Sequence, residues 1–101
     1  MKTINYCLKR DGSIELFNKT RIINAINEAF KESDEGNREI ASRVTATITE
    51  RLLRLFPDDI PSVEDIQDVV EDTLMMYNFR TTAKNYIRYR DMRNRERENS
   101  Y

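Results

Sequence analysis

The stretch CLKRDGSIELFNKTRI, residues 7–22, joins a tight turn to the start of a helix. A two-residue loop at Asp11 and Gly12 would pair Leu8 with Glu15 and mix polar with apolar side chains on both faces. A three-residue loop over 10–12, with Gly12 in the left-handed conformation, separates them. One face then holds Tyr6, Leu8, Ile14 and Leu16, and the other holds Cys7, Lys9, Glu15 and Phe17. The sequence therefore predicts a β-hairpin over residues 3–17.

Apolar residues recur with helical spacing downstream of this hairpin. Asn18 is a predicted N-cap, and Ser62 with Asp65 resembles a capping box. The predicted helices cover 18–33, 37–56, 62–77 and 81–98. Their inward stripes are Ile22, Ile26, Ala29 and Phe30; Ile40, Val44, Ile48, Leu52, Leu55 and Phe56; Val63, Ile66, Val70 and Leu74; and Ala83, Tyr86, Ile87 and Arg90. The predicted fold is α+β and mostly helical: a hairpin, with room for a third short strand, caps a four-helix bundle in one domain over residues 1–101.

The amino-acid composition excludes several kinds of functional site. The chain has 101 residues, 35 % of them charged, one cysteine, no histidine and a net charge of −1. Disulfides, histidine metal sites and Ser-His or Cys-His catalysis are excluded within it. Residues 57–79 hold seven acids and no base, and residues 80–98 hold seven bases and three acids, so we expect neighbouring helices to neutralise each other rather than bind nucleic acid. Neither a signal peptide nor a membrane span is recognisable, which predicts a cytoplasmic protein.

The hairpin turn carries a candidate anion site. Lys9 and Arg10 precede Gly12, and the chain then enters the N-terminus of the first helix, where backbone amides favour anions. Asn18, Arg21 and Ile22 follow one line of that helix and could supply an amide, a cation and an apolar wall to a nucleotide. A solvated turn, with Ile22 only in the core, is the alternative. The YIRYR segment, residues 86–90, could likewise cap the core or face a ligand. Cys7 fits a small apolar strand residue.

Three ordered blocks, LKRDGSIELFNKTRI, PSVEDIQDVVEDTL and AKNYIRYRDMR, resemble an ATP-cone domain. ATP-cones are small regulatory modules, found mainly at the N-terminus of ribonucleotide reductase catalytic subunits, that bind ATP as activator and dATP as inhibitor. The resemblance implies a nucleotide site, with Mg²⁺ accompanying the nucleotide. Lys9 and Arg10 match its phosphate-contacting pair, Gly12 its turn glycine, and Arg21 a position that is usually Lys. Glu15 lies on the face that approaches the nucleotide, Asn18 and Ile22 match adenine contacts, Val63 borders the base, Cys7 stands where Val is usual, and Arg88, Tyr89 and Arg90 match the segment that closes the site.

The tail YIRYRDMRNRERE resembles most closely the modules of anaerobic, glycyl-radical ribonucleoside-triphosphate reductases. The resemblance implies a module that is not itself catalytic, with the catalytic domain of a parent reductase as partner and an oligomer formed through such modules. Two alternatives are a helical interaction module that binds no nucleotide and part of a repressor of reductase genes. The repressor has a four-cysteine zinc ribbon ahead of the module, whereas six residues precede Cys7 here, which disfavours that alternative.

Overall fold

The computed structural model describes residues 3–99, without the side chains of residue 94 and of residues 96–99. Two short strands, β1 (Tyr6–Leu8) and β2 (Ile14–Leu16), precede four helices. The helices are α1 (Lys19–Ser33), α2 (Arg38–Leu55), α3 (Val63–Met76) and α4 (Arg80–Asn99). The predicted α+β fold is confirmed, and every helix boundary lies within one residue of the predicted one. Within the described residues, no helix is both long enough and apolar enough to cross a membrane.

The hairpin has the predicted register. Cys7 pairs with Glu15, and the backbone N–H of Lys9 donates to the Ser13 carbonyl at 2.8 Å, which closes a three-residue loop. Gly12 has a φ of 87°, a conformation that favours glycine. The face with Cys7 and Glu15 is turned toward the helices, so Cys7 is buried and the more apolar face is exposed to solvent.

A third segment runs along the other edge of β1. Leu8 forms a parallel bridge with Ser62, and its N–H donates to the Pro61 carbonyl at 3.0 Å. Ser62 also caps α3 in the predicted capping box with Asp65, each side chain accepting from the other residue's N–H at 3.0 Å. The connection between α2 and α3 therefore fixes the hairpin against the first turn of α3.

The core lies between the four helices, where α1 packs on α2 and α4, and α3 packs on the same two. Phe30, Ile48 and Leu74 are fully buried, and each such side chain stabilises the fold by about 1.5–3 kcal/mol.

The predicted apolar stripes are buried or pack on the core, with two corrections. Ile87 is half-buried and lies outside the core cluster, because the neighbouring Tyr86 is the side chain that packs on the core there. Leu55 is 58 % exposed, because the helix ends there and Phe56 packs on the core in its place.

The end of the bundle away from the hairpin is held by a polar clasp, formed by Ser33, Glu35 and Thr82. Glu35 Oε1 accepts from the backbone N–H of Thr82 at 2.6 Å and from its hydroxyl at 2.7 Å. The hydroxyls of Ser33 and Thr82 are 2.7 Å apart. The Glu35 carboxylate, which contacts the first turn of α4, also interacts favourably with the helix dipole. The clasp ties the α1–α2 connection to the start of α4.

The expected neutralisation of the acidic third helix comes from three elements. Arg90 of α4 pairs with Glu71 and Asp68. Within the described residues, α3 is also paired by Arg51 of α2, which contacts Asp72 at 2.6 Å, and by Arg10 of the hairpin, which contacts Glu64 at 2.5 Å. The charge excess of α3 thus joins α3 to every neighbouring element rather than to α4 alone.

Candidate functional site

A cavity of about 470 Å³ opens between the inner face of the hairpin, α1, the start of α3 and the second half of α4. This volume is in the range of pockets that hold small ligands and cofactors. Seven of the predicted site residues line it: Cys7, Glu15, Asn18, Arg21, Ile22, Val63 and Tyr89. Residues more than 80 positions apart in the sequence therefore meet at one cavity.

The remaining predicted residues lie outside its lining. Lys9 is at the rim, where its Nζ is 3.9 Å from Glu15 Oε2. Arg10 and Gly12 belong to the tip of the hairpin, and the tip is held to α3 by the contact of Arg10 with Glu64. Arg88 is exposed on α4, beside Tyr89 in sequence but away from the cavity lining.

The mouth of the cavity is cationic. Arg21 Nη1 lies 3.4 Å from Glu15 Oε1, so Glu15 stands between Arg21 and Lys9. The first turn of α1 contains no acidic residue to oppose the positive end of the helix dipole. The hydrogen bond from Arg10 lowers the pKa of Glu64 below its usual range. Arg21, Lys9 and the N-terminus of α1 favour an anion at the hairpin end of the cavity, whereas the carboxylates of Glu15 and Glu64 oppose one.

The side chain of Asn18 can both cap α1 and contact a ligand. Its Oδ1 accepts from the backbone N–H of Thr20 at 3.0 Å and so caps α1, as the sequence predicted. An Asn amide also carries two N–H donors, and the cap uses only the oxygen. Asn18 can therefore cap the helix and donate to a ligand at the same time.

The inner wall is apolar and aromatic. Ile22 and Val63 face it from α1 and α3, and Tyr86 and Tyr89 from α4. Burial raises the pKa of Tyr86 above its ordinary value. Such a wall can pack against the face of a planar ring.

Two arginines of α4 also line the cavity. Arg90 lines the cavity while its guanidinium pairs with Glu71 and Asp68, and burial of Glu71 raises the pKa of that carboxyl. Arg93 also lines the cavity, with its guanidinium carbon 5.8 Å from the centre of the Tyr89 ring.

Sequence reasoning omitted Gln67 and Arg93 from the site, and it left Tyr86 and Arg90 open between core packing and a ligand contact. The signal for Gln67 was its position one helical turn after Val63. For the others it was the spacing of residues 86, 89, 90 and 93, which places them on one face of α4. That pattern was interpreted mainly as core packing, and the structure shows that one face serves both the core and the cavity.

Cys7 is buried at the cavity, with its Sγ 3.8 Å from Glu15 Oε1. Burial, and then the nearby Glu15 carboxylate, raises the pKa of the thiol. Among residues 3–99 with described side chains, no group of three or more His, Cys, Asp or Glu could hold a metal ion. The cavity therefore offers recognition groups rather than a reactive thiol or a metal cage.

A hairpin-capped helical bundle, with a cavity that is cationic at its mouth and apolar within, defines a small ligand-binding module. Comparison with protein families identifies which one. Residues 6–95 match the ATP cone domain family, and the chain belongs to this family. The resemblance found in the sequence is confirmed, and family membership supports a nucleotide-binding, allosteric regulatory role.

Similar proteins are ribonucleotide reductases. The chain is 38 % identical, over 94 % of its length, to the vitamin B12-dependent ribonucleoside-diphosphate reductase of Thermoplasma acidophilum, and 36 % identical, over 91 %, to the ribonucleoside-diphosphate reductase subunit alpha of Chlamydia pneumoniae. It is 33 % identical, over 92 %, to the anaerobic ribonucleoside-triphosphate reductase of Escherichia coli. The relatives thus include the anaerobic enzymes that the tail suggested. The chain spans only 10–13 % of the length of these relatives.

Proposed function

We propose that this chain is an allosteric module of a ribonucleotide reductase, acting in the cytoplasm, and that ATP activates and dATP inhibits the enzyme through it. The observation that carries the proposal is the cavity itself. It joins an apolar wall, an amide with free donors and a cationic mouth in a chain of the ATP-cone family. Its volume of about 470 Å³ is sufficient for one nucleotide.

The adenine ring would pack between Ile22 and Val63, with the Asn18 amide at its edge. Because the Oδ1 of Asn18 caps α1, its N–H groups face the ligand, and they suit adenine N1, which accepts a hydrogen bond. Guanine carries an N–H at that position. The site should therefore prefer adenine nucleotides.

The phosphates would lie at the mouth, beside Arg21, Lys9 and the N-terminus of α1. There they would compete with Glu15 for the two cations. Charged hydrogen bonds to phosphate contribute about 1.5–3 kcal/mol each, which favours the exchange. Since the described residues provide no metal cage, Mg²⁺ would be held mainly by phosphate oxygens, as is usual for this ion.

ATP and dATP differ by the ribose 2′-hydroxyl, so opposite effects require that each nucleotide stabilise a different arrangement of the enzyme. The partner in this proposal is the catalytic part of a reductase, consistent with relatives about seven to nine times longer than this chain. An oligomer formed through the module is one way for the two arrangements to differ.

Calorimetric titration of the chain with ATP, dATP and GTP tests the binding part of the proposal. We expect both adenine nucleotides to bind more tightly than GTP. Lys9→Ala with Arg10→Ala should weaken ATP binding at least about tenfold, the equivalent of one charged phosphate contact. Arg43→Ala with Arg54→Ala is the matched control, because both cations are exposed on α2 and neither lines the cavity.

The absence of ATP binding to the folded chain would contradict the proposal and favour an interaction module that binds no nucleotide. Full affinity in a folded Lys9 and Arg10 double variant would contradict the phosphate role of the hairpin. Circular dichroism distinguishes both results from unfolding.

A further inference from the structure

The outer face of the hairpin is apolar and exposed. Tyr6, Leu8, Ile14 and Leu16 form it, with 36–72 % of each residue accessible to solvent. Ile60 extends it on the far side of β1, because it precedes the buried Pro61 as Tyr6 precedes the buried Cys7. We refer to these five residues as the outer hairpin face.

This face has no charged side chain. Lys9 and Glu15 belong to the opposite face, and Arg10 and Asp11 lie at the turn. Within residues 3–99, no further strand pairs with the outer edge of β2. The backbone N–H groups of Lys9 and Phe17 donate to the carbonyls of Ser13 and Asn5, so the hydrogen bonds between the two strands lie at these residues. Because alternate residues of a strand direct their peptide groups to opposite edges, those of Ile14 and Leu16 point away from β1. An apolar surface with backbone groups along one edge suits another apolar protein surface, not a nucleic acid.

The size of the face decides between kinds of protein partner. Five side chains with these exposures present on the order of 400 Å² of apolar surface, about the largest patch on a typical monomer. A stable complex between independent proteins buries roughly 800 Å² on each partner. Interfaces between domains of one chain need only about 600–1,500 Å² in total, because the tether keeps the partner at high local concentration. The face is too small for a stable dimer and large enough for a domain interface.

The direction of α4 supports a tethered partner. This helix starts at the clasp and runs back toward the hairpin, where Arg93 and Leu16 line the same cavity. In a longer polypeptide, as in the relatives, the segment after α4 would start near the hairpin.

We infer that the outer hairpin face docks on an apolar surface of the reductase catalytic part joined to this module, and that the hairpin transmits nucleotide binding to it. The identity of that catalytic part rests on the proposed function. Transmission follows from strand geometry, since successive side chains point to opposite faces. Cys7 and Glu15 line the cavity, and their neighbours Leu8 and Ile14 form the docking face. A shift of the strand that favours one site changes the other reciprocally.

Ile14→Lys and Met76→Lys are a matched pair for the test. Ile14 is 56 % exposed on the outer hairpin face and does not line the cavity, and Met76 is 57 % exposed at the end of α3. Each variant adds one positive charge to an exposed apolar position. The 101-residue chain, which contains its own core, is compared with the full reductase polypeptide.

Amide hydrogen exchange at residues 13–17 is the primary measurement. We expect it to be at least about tenfold slower in the full polypeptide than in the 101-residue chain. Ile14→Lys should restore the faster rate, and Met76→Lys should not. Equal exchange in the two proteins, or equal effects of the two variants, would overturn the inference.

Sedimentation velocity of the 101-residue chain tests whether a second copy of the chain binds the outer hairpin face instead. We expect a monomer, whereas a dimer that Ile14→Lys dissociates and Met76→Lys preserves would assign the face to a second copy and overturn the inference. ATP titration keeps the two proposals distinct. A chain that does not bind ATP refutes the proposed function, while the exchange comparison still decides whether the face is docked.

Discussion

Replacing Arg21 by Ala removes a guanidinium from the mouth of the cavity with little effect on the fold. The Arg21 side chain is 68 % exposed, and its ion pair with Glu15, at 3.4 Å, is of the solvent-screened kind. Such pairs contribute about 0.2–1 kcal/mol to stability. We therefore expect the variant to be folded, with a thermal midpoint lowered by about 1–8 °C.

The loss in nucleotide affinity should be larger. A charged hydrogen bond to phosphate is worth about 1.5–3 kcal/mol, or roughly 10- to 160-fold in the dissociation constant. Because ATP, dATP and GTP carry the same triphosphate, all three should weaken by the same factor in Arg21→Ala. The preference for adenine over guanine should stay constant.

Lys19→Ala is the control for this variant. Lys19 opens the same helix and is exposed, but it does not line the cavity. Its charge reaches a bound phosphate only through solvent, where screening acts over about 8 Å, so we expect less than a threefold change. Calorimetry at physiological salt measures both variants. Equal losses of ATP affinity in the two variants would indicate that Arg21 acts through the general electrostatic field and not through a phosphate contact. Unaltered ATP affinity in Arg21→Ala would refute the assignment of Arg21 to the phosphate site.

Three further outcomes are expected at other positions. Asn18→Ser keeps an oxygen to cap α1 but removes the amide donors, so the ratio of ATP to GTP affinity should fall about fivefold, which parallel titrations measure. Gly36→Ala should destabilise the fold by about 1–3 kcal/mol in urea unfolding, because a Cβ would lie 2.7 Å from the buried Phe30 ring; an unchanged midpoint would contradict this. Since burial and Glu15 raise the pKa of Cys7, its alkylation by iodoacetamide should be slower than that of free cysteine at pH 8 and should rise at higher pH than for an ordinary thiol.

Much of the fold could be predicted because the sequence signals agree with each other. The caps at Asn18 and Ser62, and the stripe from Ile22 to Phe30, all mark the same helix boundaries and faces that the structure has. The hairpin register followed because only one loop length separates apolar from polar side chains. Period-two alternation, however, defines two faces without saying which is buried. Here Cys7 is buried and Ile14 is exposed, a choice made by packing against the helices.

The site was only partly predictable. Residues 7–22 are local in sequence, so their convergence near one helix N-terminus could be anticipated. Gln67 and Arg93 join them only because α3 and α4 return past the hairpin, and no local pattern carries that information. Arg88 shows the opposite effect. Its chemistry fits a phosphate site, but its rotation on α4 directs it to solvent.

The polar clasp fixes the N-terminal end of α4, so a tilt of this helix moves its other end most. Thr82 is held by Glu35, and Arg93, on the same rigid helix, reaches the cavity about 16 Å further along, at 1.5 Å per residue. A tilt of 5° about the clasp would move Arg93 by about 1.4 Å at that radius, enough to make or break a hydrogen bond. Over the same tilt Thr82 hardly moves. Under the proposed function, a contact of the nucleotide with Arg93 would change the direction of α4, and a neighbouring domain could respond to that change without touching the nucleotide.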